Sequence, residues 1–188
     1  GGPNALAAIW PQLADLRVPV FVVQHMPPVF TASLAAKLTS YGTVPVDEGE
    51  AGAEVVSGRG YLAPGDHHMT VERSRTGVRL RLDQGPQVNG CRPAADPLFE
   101  SVAALYGAGT LGLVLTGMGS DGTVGARAIR NAGGHLLAQD QESCVVWGMP
   151  RSVTEAGLVD EVVPLRRIAA TINAVAARAR GRQGVTVP

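Results

Sequence analysis

The fold of this chain is decided by Leu111–Asn131, LGLVLTGMGSDGTVGARAIRN. An apolar run, Leu111 to Leu115, stops at Thr116. Gly117, Gly119 and Gly122 then bracket a single acid, Asp121, and Val124, Ala128 and Ile129 follow at helical spacing. A buried strand, a tight loop and a helix make half of a βαβ unit. Sites in open α/β sheets gather outside the carboxyl ends of strands, so the pattern puts Asp121 at such an edge. Three readings of the loop stand open. Gly117, Gly119 and Gly122 satisfy a dinucleotide-binding G-x-G-x-x-G, with Asp140 and Glu142 about twenty residues on. Against that, Asp121 sets a negative charge where a pyrophosphate would meet backbone N–H groups. Alternatively, Asp121 belongs to a catalytic group completed elsewhere. In the plainest reading it caps the helix that begins near Gly122.

Bulk properties narrow the class. The chain has 188 residues, 45% hydrophobic and 17% charged, which is globular composition and enough for one full core. Sixteen Lys and Arg balance sixteen Asp and Glu, so no net field recruits nucleic acid or an anionic membrane. Cys91 and Cys144 are too few for a disulfide framework and match no zinc spacing. They suit a reducing cytoplasm. No run approaches the roughly twenty apolar residues of a membrane span, and no signal-peptide pattern opens the chain. It begins Gly1-Gly2-Pro3 without methionine, which reads as a fragment or a processed form.

Outward from the central stretch, strands alternate with helices. Pro3 fits the first turn of a helix that Pro11 ends near Trp10. Val18–Val23 is a β-branched run, expected to be a strand buried on both faces. It stops at Gln24-His25-Met26-Pro27-Pro28, leaving His25 at a carboxyl end, like Asp121. A helix is expected over about 31–40, and short strands over 44–47 and 58–64. Met69–Glu72 and Val78–Leu82 alternate as a hairpin with a polar outer face. Helices are expected over 94–106, 150–156 and 164 to about 180, strands over 135–139 and 159–163, and a frayed tail over 181–188. The fold class expected is three-layer α/β, a doubly wound, mostly parallel sheet with one antiparallel hairpin.

Several polar residues invite chemistry. His25 is placed at a sheet edge, although a histidine satisfied by backbone in a turn is the plainer account. His67-His68 suggests metal, but adjacent side chains in extended chain point to opposite sides, and no third ligand is spaced to help. His135 opens a strand and reads as structural. Cys144 could act as a nucleophile with His25, although a small buried hydrophobe is the commoner role. Arg92 follows a Gly/Asn loop and could face a cleft. Asp96 stands in a first helical turn, where a carboxylate favours the dipole. Arg178, Arg180 and Arg182 read as a solvated helix end.

Five ordered stretches together resemble one family. They are Val22–Thr31 (VVQHMPPVFT), Tyr61–Met69 (YLAPGDHHM), Arg92-Pro93 through Asp96 to Leu98–Ser101, Leu115–Gly122 (LTGMGSDG) and Ser143–Pro150 (SCVVWGMP). They resemble the catalytic domain of the bacterial chemotaxis protein-glutamate methylesterases, the CheB family, over about residues 1–175. The resemblance implies a three-layer α/β domain over 1–180 with a Ser-His-Asp triad. It implies hydrolysis of glutamate methyl esters on the cytoplasmic helices of methyl-accepting chemoreceptors, with glutamine deamidation in some members.

Carried over by motif, the histidine is His25 and the aspartate Asp121. Met118 resembles a family residue packed beside the histidine, and backbone near Met118, Gly1 and Gly2 corresponds to the oxyanion region. The family serine lies in a Ser-Thr-Gly-Gly turn whose end matches Gly1-Gly2. It would therefore sit two residues before Gly1, and the first strand would precede it. The bare 188-residue chain is accordingly expected to be inactive. Cys91 stands where many relatives place histidine before Arg-Pro. The expected partners are chemoreceptor helices and, where one is joined, a response-regulator receiver domain. No cofactor, metal, nucleic acid or membrane insertion is expected. A pseudoenzyme that only docks to receptors or regulators is the competing reading, and a dinucleotide-binding module the third.

Overall fold

The computed structural model describes residues 1–183, with side chains through residue 179. Its elements run α1 (Gly2–Ile9), β1 (Val20–Val22), α2 (Pro28–Tyr41), β2 (Val46–Glu48), β3 (Gly60–Leu62), β4 (His68–Arg73), β5 (Val78–Asp83) and α3 (Ala95–Tyr106). They continue with β6 (Leu111–Val114), α4 (Thr123–Asn131), β7 (His135–Gln139), α5 (Gly148–Glu155), β8 (Glu161–Val163) and α6 (Leu165–Gln183). A 3₁₀ turn at Trp10–Gln12, holding Pro11, follows α1.

The parallel strands form two three-stranded halves, ordered β2-β3-β1 and β6-β7-β8, rather than one continuous sheet. The β4–β5 hairpin is antiparallel, with Met69 opposite Leu82. Side-chain alternation assigns the layers. Along β7, Leu137 enters the core shared with α1, α2 and α6, while Leu136 and Ala138 face α3, α4 and α5. Along β3, Leu62 joins the first of these cores, and Tyr61 and Ala63 pack towards the hairpin. One core therefore runs under both halves, built on Leu38, Leu62, Leu137 and Ile168.

The open edges of β1 and β6 border a cavity of about 690 Å³ lined largely by apolar side chains, among them Val20, Val22, Leu111 and Leu113. Val18–Val23 departs from the expected two-sided burial, and the cavity accounts for it at Val20 and Phe21. Val20 and Phe21 are only partly buried, and Val18 is 44% exposed. Gly1 and Gly2, at the start of α1, line the same cavity together with Gln24 and Thr116, from just beyond the carboxyl ends of β1 and β6.

Other boundaries differ for local reasons. Helix α2 starts at Pro28, three residues before the expected Thr31, because proline is at home in a first turn. In α4 the inward face is Gly125, Ala126 and Ile129; Val124 is 58% exposed. Helix α6 continues to Gln183, so residues 181–183 of the expected tail are helical, and 184–188 lie outside the described residues. Arg178 is exposed, as expected; the side chains of Arg180 and Arg182 lie outside the description.

Helices α3 and α4 come close together at Gly125. A Cβ there would run into the Cβ of Phe99 and lie 3.0 Å from the Asp96 carbonyl. Both obstacles belong to the α3 framework, so neither can swing aside. Gly125→Ala is expected to destabilise the fold by about 1–3 kcal/mol, the usual cost of overpacking, read as a lower urea midpoint at unchanged slope.

Candidate active site

The carboxyl ends of β1 and β6 carry the two residues that matter most. Pro27 and Pro28 stop the chain after β1 and start α2, leaving His25 between strand and helix. The glycine loop after β6 brings Asp121 towards it. Gly122, at φ 92°, reverses the chain there so that α4 can start at Thr123. The His25 Nε2 and Asp121 Oδ2 atoms are 2.7 Å apart, across 96 positions of sequence. The His25 side chain is 26% exposed and that of Asp121 2%.

A carboxylate this buried must be supplied with donors. Asp121 Oδ2 accepts the Ala95 N–H at 2.6 Å as well as its histidine bond. Oδ1 accepts the N–H groups of Gly122 at 2.9 Å and Asp96 at 3.2 Å, and the Asn89 amide at 3.3 Å. Burial alone would raise the Asp121 pKa, but the bonds from His25, Ala95 and Asp96 outweigh it and hold the carboxyl below its ordinary value. The helix-cap expectation is corrected in one respect. Asp121 caps the amino end of α3, not that of α4, whose N-cap Gly122 makes no side-chain bond. At the start of α4, Asp121 takes the Gly122 N–H at 2.9 Å and Asp96 takes the Gly125 N–H at 2.7 Å, so N–H groups a pyrophosphate would need are already bonded to carboxylates. The glycine loop therefore does not work as a dinucleotide cradle.

Since Nε2 faces Asp121, Nδ1 is the ring nitrogen left for another group. His25 opens onto both the large cavity and a shallower groove of about 500 Å³ floored by Met26, Pro27, Pro28, Cys91 and Pro93. Met118 lines the large cavity with Gly1, Gly2 and His25, but it is 81% exposed and so is not packed. Arg92 does face the groove. Its guanidinium is held by Asp66 Oδ1 at 2.9 and 2.6 Å and by the Gln84 and Gly85 carbonyls, so it ties the 84–92 loop down. The Arg92 hydrogen bond in turn lowers the Asp66 pKa.

The other candidates sort plainly. His67 Nδ1 meets its own turn at Gly65 O, and His68, buried, lies against Pro86 O and Ala94 N. Among the described residues no group of three or more His, Cys, Asp or Glu could hold a metal ion. His135 pairs with Asp160 at 3.4 Å, away from His25. Cys144 sits beside Thr116 rather than His25, and burial raises its pKa. Burial also raises the Cys91 thiol, and the nearby Asp121 charge adds to the effect. Neither is an activated thiolate.

Sequence reasoning missed three supports. Gln139, fully buried at the end of β7, accepts Thr116 N–H at 2.9 Å and donates to Ser143 O at 2.9 Å. Thr116 exchanges two hydrogen bonds with the backbone of Val146, both 3.0 Å. Asn89 bridges Asp96 and Asp121. The one sequence signal was a glutamine closing the apolar strand HLLAQ.

A part-buried histidine paired with a buried aspartate at the carboxyl edge of a parallel sheet, beside an open groove, marks this as an α/β domain with its candidate site at the strand ends. Comparison gives the family. The CheB methylesterase family model matches residues 1–172. The chain is 48% identical over 173 residues to a Trichodesmium erythraeum protein and 50% identical over 168 residues to one from Maricaulis maris. Both relatives are named protein-glutamate methylesterase/protein-glutamine glutaminase. The matches cover 92% and 88% of this chain but 49% and 41% of those proteins, so the chain spans about half their length or less. The Thermotoga maritima CheB methylesterase catalytic domain superposes with a TM-score of 0.90 at 43% identity, over 93% of each chain. This chain belongs to the CheB methylesterase family.

Because the Asp121 pKa is lower in the folded than in the unfolded protein, its ionisation stabilises the fold above about pH 4 and ceases to do so as pH falls through the folded value. Asp121→Asn is therefore expected to melt below the parent at pH 7, with the gap narrowing below about pH 4. Melting temperatures of both proteins from pH 7 to pH 3 check this; a gap independent of pH contradicts it.

Proposed function

We propose that this chain is the catalytic part of a chemotaxis protein-glutamate methylesterase. It hydrolyses γ-methyl esters of glutamate on the cytoplasmic helices of chemoreceptors, and deamidates glutamines at the same site. The observation that carries the reading is the 2.7 Å contact between His25 and the buried Asp121, at the mouth of a cavity also lined by Gly1 and Gly2. The nucleophile is a serine two residues before Gly1.

The chemistry follows from the ring orientation. Nε2–H donates to Asp121, which fixes the tautomer and leaves Nδ1 as the base. Nδ1 takes the serine proton as Oγ attacks the ester carbonyl. The tetrahedral intermediate then collapses, and the imidazolium returns the proton to the departing methanol, or to ammonia when the substrate is an amide. Water repeats the sequence on the acyl-enzyme and releases glutamate. Asp121 stays ionised throughout and stabilises the imidazolium. Backbone N–H groups at the start of α1 and around Met118 receive the oxyanion. These steps use no metal or organic cofactor. The groove over Met26, Pro27 and Pro28 leaves room for a side chain presented from a receptor helix. The protein acts in the cytoplasm, where those helices lie, with a receiver domain as its second partner. No helix among the described residues is long and apolar enough to cross a membrane.

The test is to extend the chain upstream of Gly1 with an apolar strand ending in Ser-Thr and to measure methanol release from methylated receptor. The extended protein is expected to turn over, with His25→Ala or loss of the serine costing about 10⁶-fold and loss of Asp121 about 10⁴-fold in kcat. The bare 188-residue chain is expected to match its own His25→Ala control. Binding to receptor without turnover in the extended protein would favour a docking pseudoenzyme.

A further inference from the structure

The surroundings of Asp121 contain a second buried carboxylate that the reaction does not use. Asp96, 3% exposed, stands in the first turn of α3, and Asp121, 2% exposed, stands just before α4. Each serves the other's helix. Asp121 accepts the Ala95 and Asp96 N–H groups of α3, while Asp96 Oδ1 accepts the Gly125 N–H of α4 at 2.7 Å. Two carboxylates this close repel unless donors lie between them. Asn89 supplies that donor, its Nδ2 lying 2.8 Å from Asp96 Oδ2 and 3.3 Å from Asp121 Oδ1. Asn89 is an exposed loop residue at φ 53°, a conformation that asparagine and aspartate adopt more readily than other side chains.

We propose that Asn89 and Asp96 are positioning residues for the His25–Asp121 pair, a role that rests on the function proposed above. The two oxygens of Asp121 have different duties. Oδ2 faces His25 and also accepts the Ala95 N–H, and Oδ1 is held by Asn89, Asp96 N–H and Gly122 N–H. Turning the carboxylate plane away from the imidazole would break the three bonds to Oδ1 and the Ala95 bond to Oδ2 as well as the one to His25. Asp96 fixes the other variable, the place of α4 relative to α3, and so the height at which the glycine loop delivers Asp121. Asn89 couples the two settings, because one amide group reaches both carboxylates.

The histidine N–H in a bond to carboxylate gives a far-downfield proton resonance, which can be followed in the 188-residue protein without turnover. His25→Ala and Asp121→Asn, each removing the resonance, assign it. Asn89→Ala is expected to speed exchange of that proton with water by about tenfold, the worth of one hydrogen bond to a charged group. Asp96→Asn, which turns a donor towards the Asn89 donor, is expected to do the same. Both spectra should keep native amide dispersion. Asn89→Asp keeps the size and tolerates the positive φ, so it serves if the alanine variant fails to fold, and it should disturb the proton at least as much by placing a third carboxylate at the junction. Unchanged exchange in folded Asn89 and Asp96 variants overturns the positioning role and leaves the proposed function standing. A resonance that survives Asp121→Asn overturns the His25–Asp121 pairing on which both rest.

Discussion

The constraint on which the structure depends is the need to solvate one carboxylate without water. Asp121 is 2% exposed and ionised, so the protein must surround it with N–H groups. Helix amino ends are the natural source, because their first N–H groups have no partner within the helix. The fold therefore brings the start of α3 against the loop that precedes α4. That demand propagates. The two helices can meet so closely only where one of them lacks a side chain, at Gly125, and only if the second acid of the junction is itself satisfied. Packing and electrostatics here are one requirement seen from two sides.

The rest of the carboxyl edge is tied down by polar groups of the same kind, each placed where a strand runs out. Gln139 ends β7 and reaches both Thr116, beyond β6, and Ser143 in the next loop. Thr116 passes the connection to Val146, and Gly117 continues it by accepting the Gly148 and Met149 N–H groups. Loops at a sheet edge are ordinarily its most mobile part. Here they are held by buried hydrogen bonds, which is what a site needs if its groups are to stay within hydrogen-bond reach of one another.

Much of this was legible in the sequence, and the limits have physical causes. Leu111–Asn131 announced strand, loop and helix because an apolar run of strand length ended in glycines. His25 and Asp121 were legible as strand-end residues, and the five ordered stretches joined them. What Asp121 would cap was not legible. The cap acts through space, on a helix that starts 26 positions earlier in sequence, and local preference names only the adjoining helix. Asn89 lay in a stretch read as loop, and Asp96 read as an ordinary first-turn acid. Their roles exist only once α3 and α4 cross. The expected burial of Val18 failed for a related reason. A β-branched run records the tendency to form a strand, while burial depends on which neighbours flank its two edges.

The pairing of His25 with Asp121 also joins the two halves of the sheet. His25 hangs from β1 and Asp121 from β6, and those strands face each other across a cavity rather than sharing a ladder. The 2.7 Å contact is thus set by the distance between two bodies, and among the described residues no strand pairing between the halves sets that distance. What holds it is the common core beneath, where Leu62 of one half and Leu137 of the other meet the side chains of α2 and α6. Close-packed side chains resist sliding, because each lost contact forfeits dispersion energy that water does not restore.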